Sequence, residues 1–271
     1  MSSTLLLQLA IAGVSVGSIY ALVALAIVLP FKASGVLNFA QGEVVTVGAY
    51  AALILTQLAL PYPLVLLGVV VLGAVGGVVM ERLLIRPIVA APEFTLVIAT
   101  FAIGLLIKGV ISLRFGDSPA SIDGPFGSDP LLVAGMRFNP TSLWILACTA
   151  AVTLALIAFF RHAHLGKAMR AVSVNPEAAM LMGIRVGTVY RWSWAISTAI
   201  GALAGLLAAV IGGFTSIGGA IVGGLAVGLI ETYAGVLVGS AFKNLMPFLL
   251  LMLLLTLRPQ GLFGAADAKR V

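Results

Sequence analysis

The sequence predicts an all-α fold, a polytopic transmembrane helix bundle of about eight spans with a broken or re-entrant glycine-rich element near 211–224. Three observations predict it. The 271 residues are 61% hydrophobic and only 9% charged, whereas a soluble domain carries about 25% charged residues. The apolar residues fall into runs long enough to cross a bilayer as helices, which takes about 20 residues. Those runs are apolar all round and do not alternate, as expected of helices in lipid and not of barrel strands.

The first run is Leu5–Leu29. No basic residue precedes it, so it reads as a first span and not as a cleavable signal. Pro30, Lys32 and Gly35 are expected to end it. Phe39–Leu60 follows, closed by Pro61-Tyr62-Pro63. Leu64–Leu84 and Phe94–Leu113 flank a short polar link bracketed by Arg86-Pro87 and Ala91-Pro92. Residues Asp117 to Pro140 form the longest Gly/Pro/Asp-rich stretch, with Phe126, Phe138 and Leu131–Val133 suited to the membrane surface. Thr141–Phe160, Trp192–Ile211, Ile217–Val238 and the short Leu245–Leu257 complete the set.

Charge orients the chain. The link from Arg161 to Arg191 carries Arg161, Lys167, Arg170, Arg185 and Arg191 against one acid, Glu177. Lysine and arginine accumulate on cytoplasmic loops, so 161–191 is expected on that side of a multi-pass membrane protein. Counting back places the N-terminus outside. Counting forward puts Arg258, Lys269 and Arg270 on the wrong side, a conflict that either a re-entrant late run or one further late span would remove. The net charge of +6 therefore reads as membrane orientation, and nucleic acid is not an expected partner.

Small residues four apart let helix backbones approach closely in lipid. They recur as Gly13/Gly17, Gly73/Gly77, Gly201/Gly205, Gly219/Gly223, Gly224/Gly228 and Gly235/Gly239. The stretch Ile211–Gly224 is too rich in glycine for one stable helix, hence the broken element.

Enzymatic signals are absent. Leu165-Gly166-Lys167-Ala168 lacks both the upstream glycine and the hydroxyl of a nucleotide-binding loop, so the chain is not expected to bind or hydrolyse ATP. His162 and His164 have no acidic or thiol neighbour to complete a metal set. The single cysteine, Cys148, lies in an apolar run and reads as a packing residue. No cofactor, metal or catalytic residue is expected.

Two constellations carry functional interest. Asn175-Pro176-Glu177-Ala178-Ala179-Met180-Leu181-Met182-Gly183 spells a capped helix of about two turns. Asparagine caps, proline suits the first helical position, a carboxylate suits the first turn, and glycine can end the helix in the left-handed region. Met180, Leu181 and Met182 on so short a helix need a cover. Lipid, the subunit itself or a groove on a soluble partner would each provide one. The second constellation is Asn38-Phe39-Ala40-Gln41-Gly42-Glu43. Polar and ionisable groups within spans are functional candidates, so Asn38, Gln41, Glu43 and, in a later run, Glu231 are candidate pathway or structural polar residues. Asn38 could equally cap a helix, and Lys108 could snorkel.

These residues, in this order, resemble the shorter permease subunit of branched-chain amino acid ABC importers. The likeness is carried by Gly17-Ser18-Ile19-Tyr20-Ala21-Leu22, Val36-Leu37-Asn38-Phe39-Ala40-Gln41-Gly42-Glu43, Glu81-Arg82 and Arg86-Pro87. It continues through Gly166-Lys167-Ala168-Met169-Arg170-Ala171 and Asn175 to Ile184, then Gly219-Ala220-Ile221-Val222-Gly223-Gly224 and Arg258-Pro259-Gln260-Gly261-Leu262-Phe263-Gly264. The resemblance implies a single permease domain over 1–271, with 161–191 as its cytoplasmic coupling loop, in a bacterial inner membrane. It also implies a second related permease, two ATPase subunits that bind the ATP and magnesium, and a periplasmic substrate-binding protein. Glu177, Ala178, Ala179 and Gly183 then match the coupling element that fits a groove on the ATPase. Branched-chain or related amino acids are the implied cargo. Urea, amides or nucleosides, or a stand-alone ion-coupled secondary transporter, are the alternatives. One departure stands out. In the family a further stretch follows the sequence like Gly201–Ala209, whereas here Ala209 runs directly into Val210.

Overall fold

The computed structural model describes residues 3–211 except 90, 117–121, 123, 127–130, 134 and 135. Its helices are α1 (Ser3–Ser34), α2 (Gln41–Gln57), α3 (Tyr62–Val79), α4 (Glu93–Phe115), α5 (Pro140–His162), α6 (His164–Val174), α7 (Pro176–Leu181) and α8 (Val186–Ile211). After α3 the chain continues as a π-turn, Met80–Ile85, and a 3₁₀ turn, Arg86–Ile88. Between α4 and α5, β1 (Leu131–Val133) pairs antiparallel with β2 (Met136–Phe138), Leu131 opposite Phe138. The connection is thus not wholly irregular, and the described residues are helical with one small hairpin.

Among the described residues, five helices are long and apolar enough to cross a membrane: Ala10–Ser34, Tyr62–Ile88, Phe94–Phe115, Pro140–His162 and Val186–Val210. The run expected as a second span forms the 17-residue α2. At 1.5 Å per residue that is about 25 Å, short of a hydrocarbon core of about 30 Å. The runs beyond Ile211, and the glycine-rich element at 211–224, lie outside the described residues.

Helix α8 is the core. It packs on α1, α2 and α3, and Trp194, Ala204, Leu206 and Leu207 are wholly inaccessible. Missing side chains make that possible. A Cβ on Gly48 of α2 would overlap the Ala202 backbone, and one on Gly205 of α8 would overlap Val45. On α3, a Cβ on Gly73 would press on Thr198 and Ala202, and one on Gly77 on Thr198 and Trp194. The Gly73/Gly77 and Gly201/Gly205 pairs therefore sit where α3, α2 and α8 meet. In lipid, where apolar burial gives helices little reason to associate, such contact has to come from close packing. By contrast α4 and α5 turn large side chains outward, Leu113 (91% exposed) and Leu154 among them.

The first run does not stop at Pro30. Helix α1 continues through Pro30 and Lys32 to Ser34, and Gly35, at φ +72°, ends it. Proline has no N–H to offer the carbonyl one turn back. That carbonyl, on Ala26, accepts a hydrogen bond from the Ser197 hydroxyl of α8. A tertiary donor replaces the lost helical one, which is how prolines survive inside membrane helices.

Gly205→Val forces a branched side chain into the Val45 backbone and is expected to destabilise the bundle by about 3 kcal/mol. Gly76, with open space around its Cβ position, is the control. A thermal melt in detergent should fall sharply for Gly205→Val and little for Gly76→Val.

Candidate functional site

The basic link is built, not loose. Of residues 161–191, the first two finish α5, most form α6 and α7, and 186–191 already belong to α8. The extended Asn175 separates α6 from α7, and its carboxamide oxygen accepts the Ala178 N–H at 3.0 Å. Pro176 occupies the first helical position and Glu177 lies exposed in the first turn. Gly183, at φ +82°, donates to the Met180 carbonyl (2.9 Å), and Ile184 donates to the Ala179 carbonyl (3.0 Å). A β-carbon is strained at that φ, so glycine is the residue that lets α7 stop and turn into α8.

The two sides of α7 differ. Ala179 is buried with Ala33 of α1, Met169 and Val172 of α6, and Val189 of α8. Met180, Leu181 and Met182 face away at 54%, 89% and 84% exposure, flanked by exposed Ala178 and Val174. Three helices, α1, α6 and α8, thus converge beneath α7 around Ala179. Above it lies an uncovered apolar cap.

The second constellation lies deeper. Gln41 approaches Ser197 at 3.3 Å. Ser197 is eleven residues into α8, about 16 Å from its start at 1.5 Å per residue. The segment 35–40 therefore turns back into the bundle as non-helical chain, with Val36, Asn38, Ala40 and Gln41 all buried. Irregular backbone at such depth must be sheathed in protein and supplied with partners. Asn38 supplies them: its oxygen accepts the Ala40 N–H (3.1 Å) and its amide donates to the Gln41 oxygen (2.9 Å). Thr100 of α4 donates to the Leu37 carbonyl and accepts the Phe39 N–H. Asn38 is therefore not the N-cap of α2, which is Ala40. The Gln41 nitrogen, buried without an acceptor, lies against Gly201, where a Cβ would collide with it.

Glu43 does not join this cluster. It sits half-exposed in the first turn of α2, beside Gly104 of α4. Lys108 is exposed on α4. Glu231 lies outside the described residues. A residue with greater burial is Glu81, 2% exposed, with one carboxylate oxygen lacking a hydrogen-bond partner. Arg86, Arg191 and Arg82 lie within electrostatic reach of it. It occupies the π-turn after α3, facing the start of α8. Its only signal in sequence was an acid beside an arginine at the end of an apolar run. Among the described residues no group of three His, Cys, Asp or Glu side chains could hold a metal ion.

A bundle of long apolar helices around a glycine-lined central helix, with a capped amphipathic stub at its basic end, defines a multi-pass membrane protein. The chain belongs to the branched-chain amino acid transport system permease component family, whose model matches residues 9–209. It is 28% identical to the high-affinity branched-chain amino acid transport system permease protein LivH of Escherichia coli (strain K12), covering 96% of both chains. With the permease protein BraD of Pseudomonas aeruginosa the identity is 27%, covering 98% of both. A probable branched-chain amino acid transport permease of Methanocaldococcus jannaschii is 29% identical over 90% of this chain and 88% of its own. No solved structure matches the chain. The family match ends at 209. The Escherichia coli alignment spans 296 residues, more than this whole chain. The relative therefore carries positions with no counterpart here, enough for a spanning segment of about 20 residues.

Asn38→Ala strands the Ala40 N–H in a buried site and leaves the Gln41 oxygen with Ser197 alone. It is expected to cost about 1–3 kcal/mol, read as a lower melting temperature of the purified chain. Glu43→Gln, at a half-exposed position outside the cluster, should melt within a degree or two of wild type.

Proposed function

We propose that this chain is the membrane-spanning permease of an ATP-driven importer and that α7 is where it receives the work of ATP hydrolysis. The observation that carries this reading is the two-sided α7. Its inner side is clamped to α1, α6 and α8, and its outer side offers Met180, Leu181 and Met182. Methionine is flexible enough to fill a groove on another protein, and a cap of this kind at a basic, cytoplasmic end needs one.

The physical chain of events is short. An ATPase that grips α7 and moves displaces the start of α8, because only a few residues separate Leu181 from Val186 and two hydrogen bonds lock them. Helix α8 touches α1, α2 and α3 along its length, so its displacement reaches the centre of the bundle. Transport follows if ATP binding favours one of two arrangements of these helices over the other. No bond is made or broken by the permease itself, and ATP and magnesium belong to the ATPase subunits.

The relatives' names support branched-chain amino acids as cargo. This reading places the chain in a bacterial inner membrane, with 161–191 cytoplasmic because of its excess of lysine and arginine. A second related permease and a periplasmic binding protein would complete the assembly. Asn38 and Gln41 serve in this reading as the structural lock of the re-entrant segment, and Glu43 and Glu231 remain the ionisable candidates for the pathway. In this reading the chain is one permease domain over 1–271.

Gly183→Val should leave the protein in the membrane and reduce amino acid uptake by more than ten-fold, with ATPase subunits lost on purification. Glu177→Lys, on the exposed first turn, should act in the same direction without changing the melting temperature. Normal uptake by Gly183→Val would remove the docking role from α7.

A further inference from the structure

We propose that the groove between α1 and α5 at the basic end binds one anionic phospholipid, its acyl chain against Leu25, Leu29 and Phe160 and its phosphate among Lys32, Arg161 and Arg170. Two adjoining cavities of about 310 and 410 Å³ make up the groove and share Leu25, Leu29, Phe160 and Arg170. Each is of a size that holds a small ligand. Lys32 closes one and Arg161 the other, so three cations gather at one mouth, and no carboxylate lines either cavity. All three cationic side chains are exposed.

Depth distinguishes the occupant. Along α5 the groove runs from Arg161 back to Thr153, and along α1 from Lys32 back to Leu25. Those stretches are about 10–12 Å long and lie within apolar spans. A soluble protein docked at the membrane surface cannot enter that far, and a free anion has no use for apolar walls. A phospholipid matches both parts at once. Basic pockets between helices on the cytoplasmic side are where anionic headgroups are held, and lysine and arginine stems lie along apolar surface while their charges stay at the interface. The groove also touches Met169 of α6, the helix that supports α7. A lipid seated here would brace the platform on which α7 stands, and the assignment holds whether or not α7 docks on an ATPase.

The test is lipid retention. The full chain, purified with whatever subunits accompany it, is placed in nanodiscs of phosphatidylcholine with one-fifth phosphatidylglycerol. Lipids that stay bound are then counted by native mass spectrometry. Wild type is expected to keep one phosphatidylglycerol in preference to phosphatidylcholine. The triple change Lys32→Gln, Arg161→Gln, Arg170→Gln should lower that retention about ten-fold, and Lys32→Arg, Arg161→Lys, Arg170→Lys should restore it. Leu25→Trp keeps every charge but fills the groove, and should expel the lipid as well. Wild-type retention in the Gln or the Trp variant, or retention of phosphatidylcholine by wild type equal to that of phosphatidylglycerol, would overturn the site. Displacement of the lipid by millimolar inorganic phosphate alone would overturn it too, because the cations would then bind an anion without its chain.

Discussion

Helix α8 can lie at the centre of this bundle only because its neighbours come within backbone distance of it. Gly48 on α2, Gly73 and Gly77 on α3, and Gly201 and Gly205 on α8 itself leave no Cβ where the helices cross. Dispersion forces fall away within an ångström of extra separation, and lipid offers apolar side chains as good a home as protein does. Close approach is therefore the main attraction available. It also brings hydroxyls within reach of carbonyls, so that Ser197 can serve the Ala26 carbonyl that Pro30 leaves without a donor. The same approach lets Gln41 enter beside Gly201 and anchor the segment that turns back into the bundle. Remove the packing and the polar contacts lose their geometry with it.

A centre held this tightly moves as a unit, and its start is at the basic end. The link from α7 to α8 is a glycine in the left-handed region followed by two hydrogen-bonded residues, with little slack to absorb a push. Beneath α7 the ends of α1, α6 and α8 meet around Ala179. Glu81 faces the same end of α8 from the π-turn after α3, with three arginines around it. The pull of these guanidinium groups offsets part of the cost of burying the carboxylate. The basic end is thus the place where several helices register the position of α8. The outward faces of α4 and α5, in contrast, are apolar and unpartnered among the described residues, as surfaces against lipid or a second permease should be.

Much of this was legible in sequence, for reasons that differ by element. The runs that became α3, α4, α5 and α8 are read from hydrophobic length alone, because a bilayer sets that length. The α7 stub is read from local rules, since Asn175, Pro176 and Gly183 each act within one turn of themselves. The Gly73/Gly77 and Gly201/Gly205 pairs were legible as close contacts, though not which helices they join. What was hidden depends on residues far apart in the chain. Nothing near Pro30 says that Ser197, 167 positions on, will complete its helix. Asn38, Gln41 and Glu43 read alike as polar candidates, and nothing local says that Asn38 and Gln41 are the buried pair while Glu43 is half-exposed at the start of α2. The burial of Glu81 follows from how the π-turn meets α8, which no local pattern encodes. The family resemblance compensated for part of this, and the match ending at 209 falls where the late topology had already failed to close.

The central claim is that the outer side of α7 is a contact surface for an ATPase. A photoreactive side chain placed at Leu181, in membranes that also contain the neighbouring transport subunits, reads that surface directly. The account predicts a cross-linked band of this chain plus one ATPase subunit, strengthened or weakened by ATP. Cross-linking to lipid alone, with or without nucleotide, would contradict it and make α7 a helix that rests on the membrane.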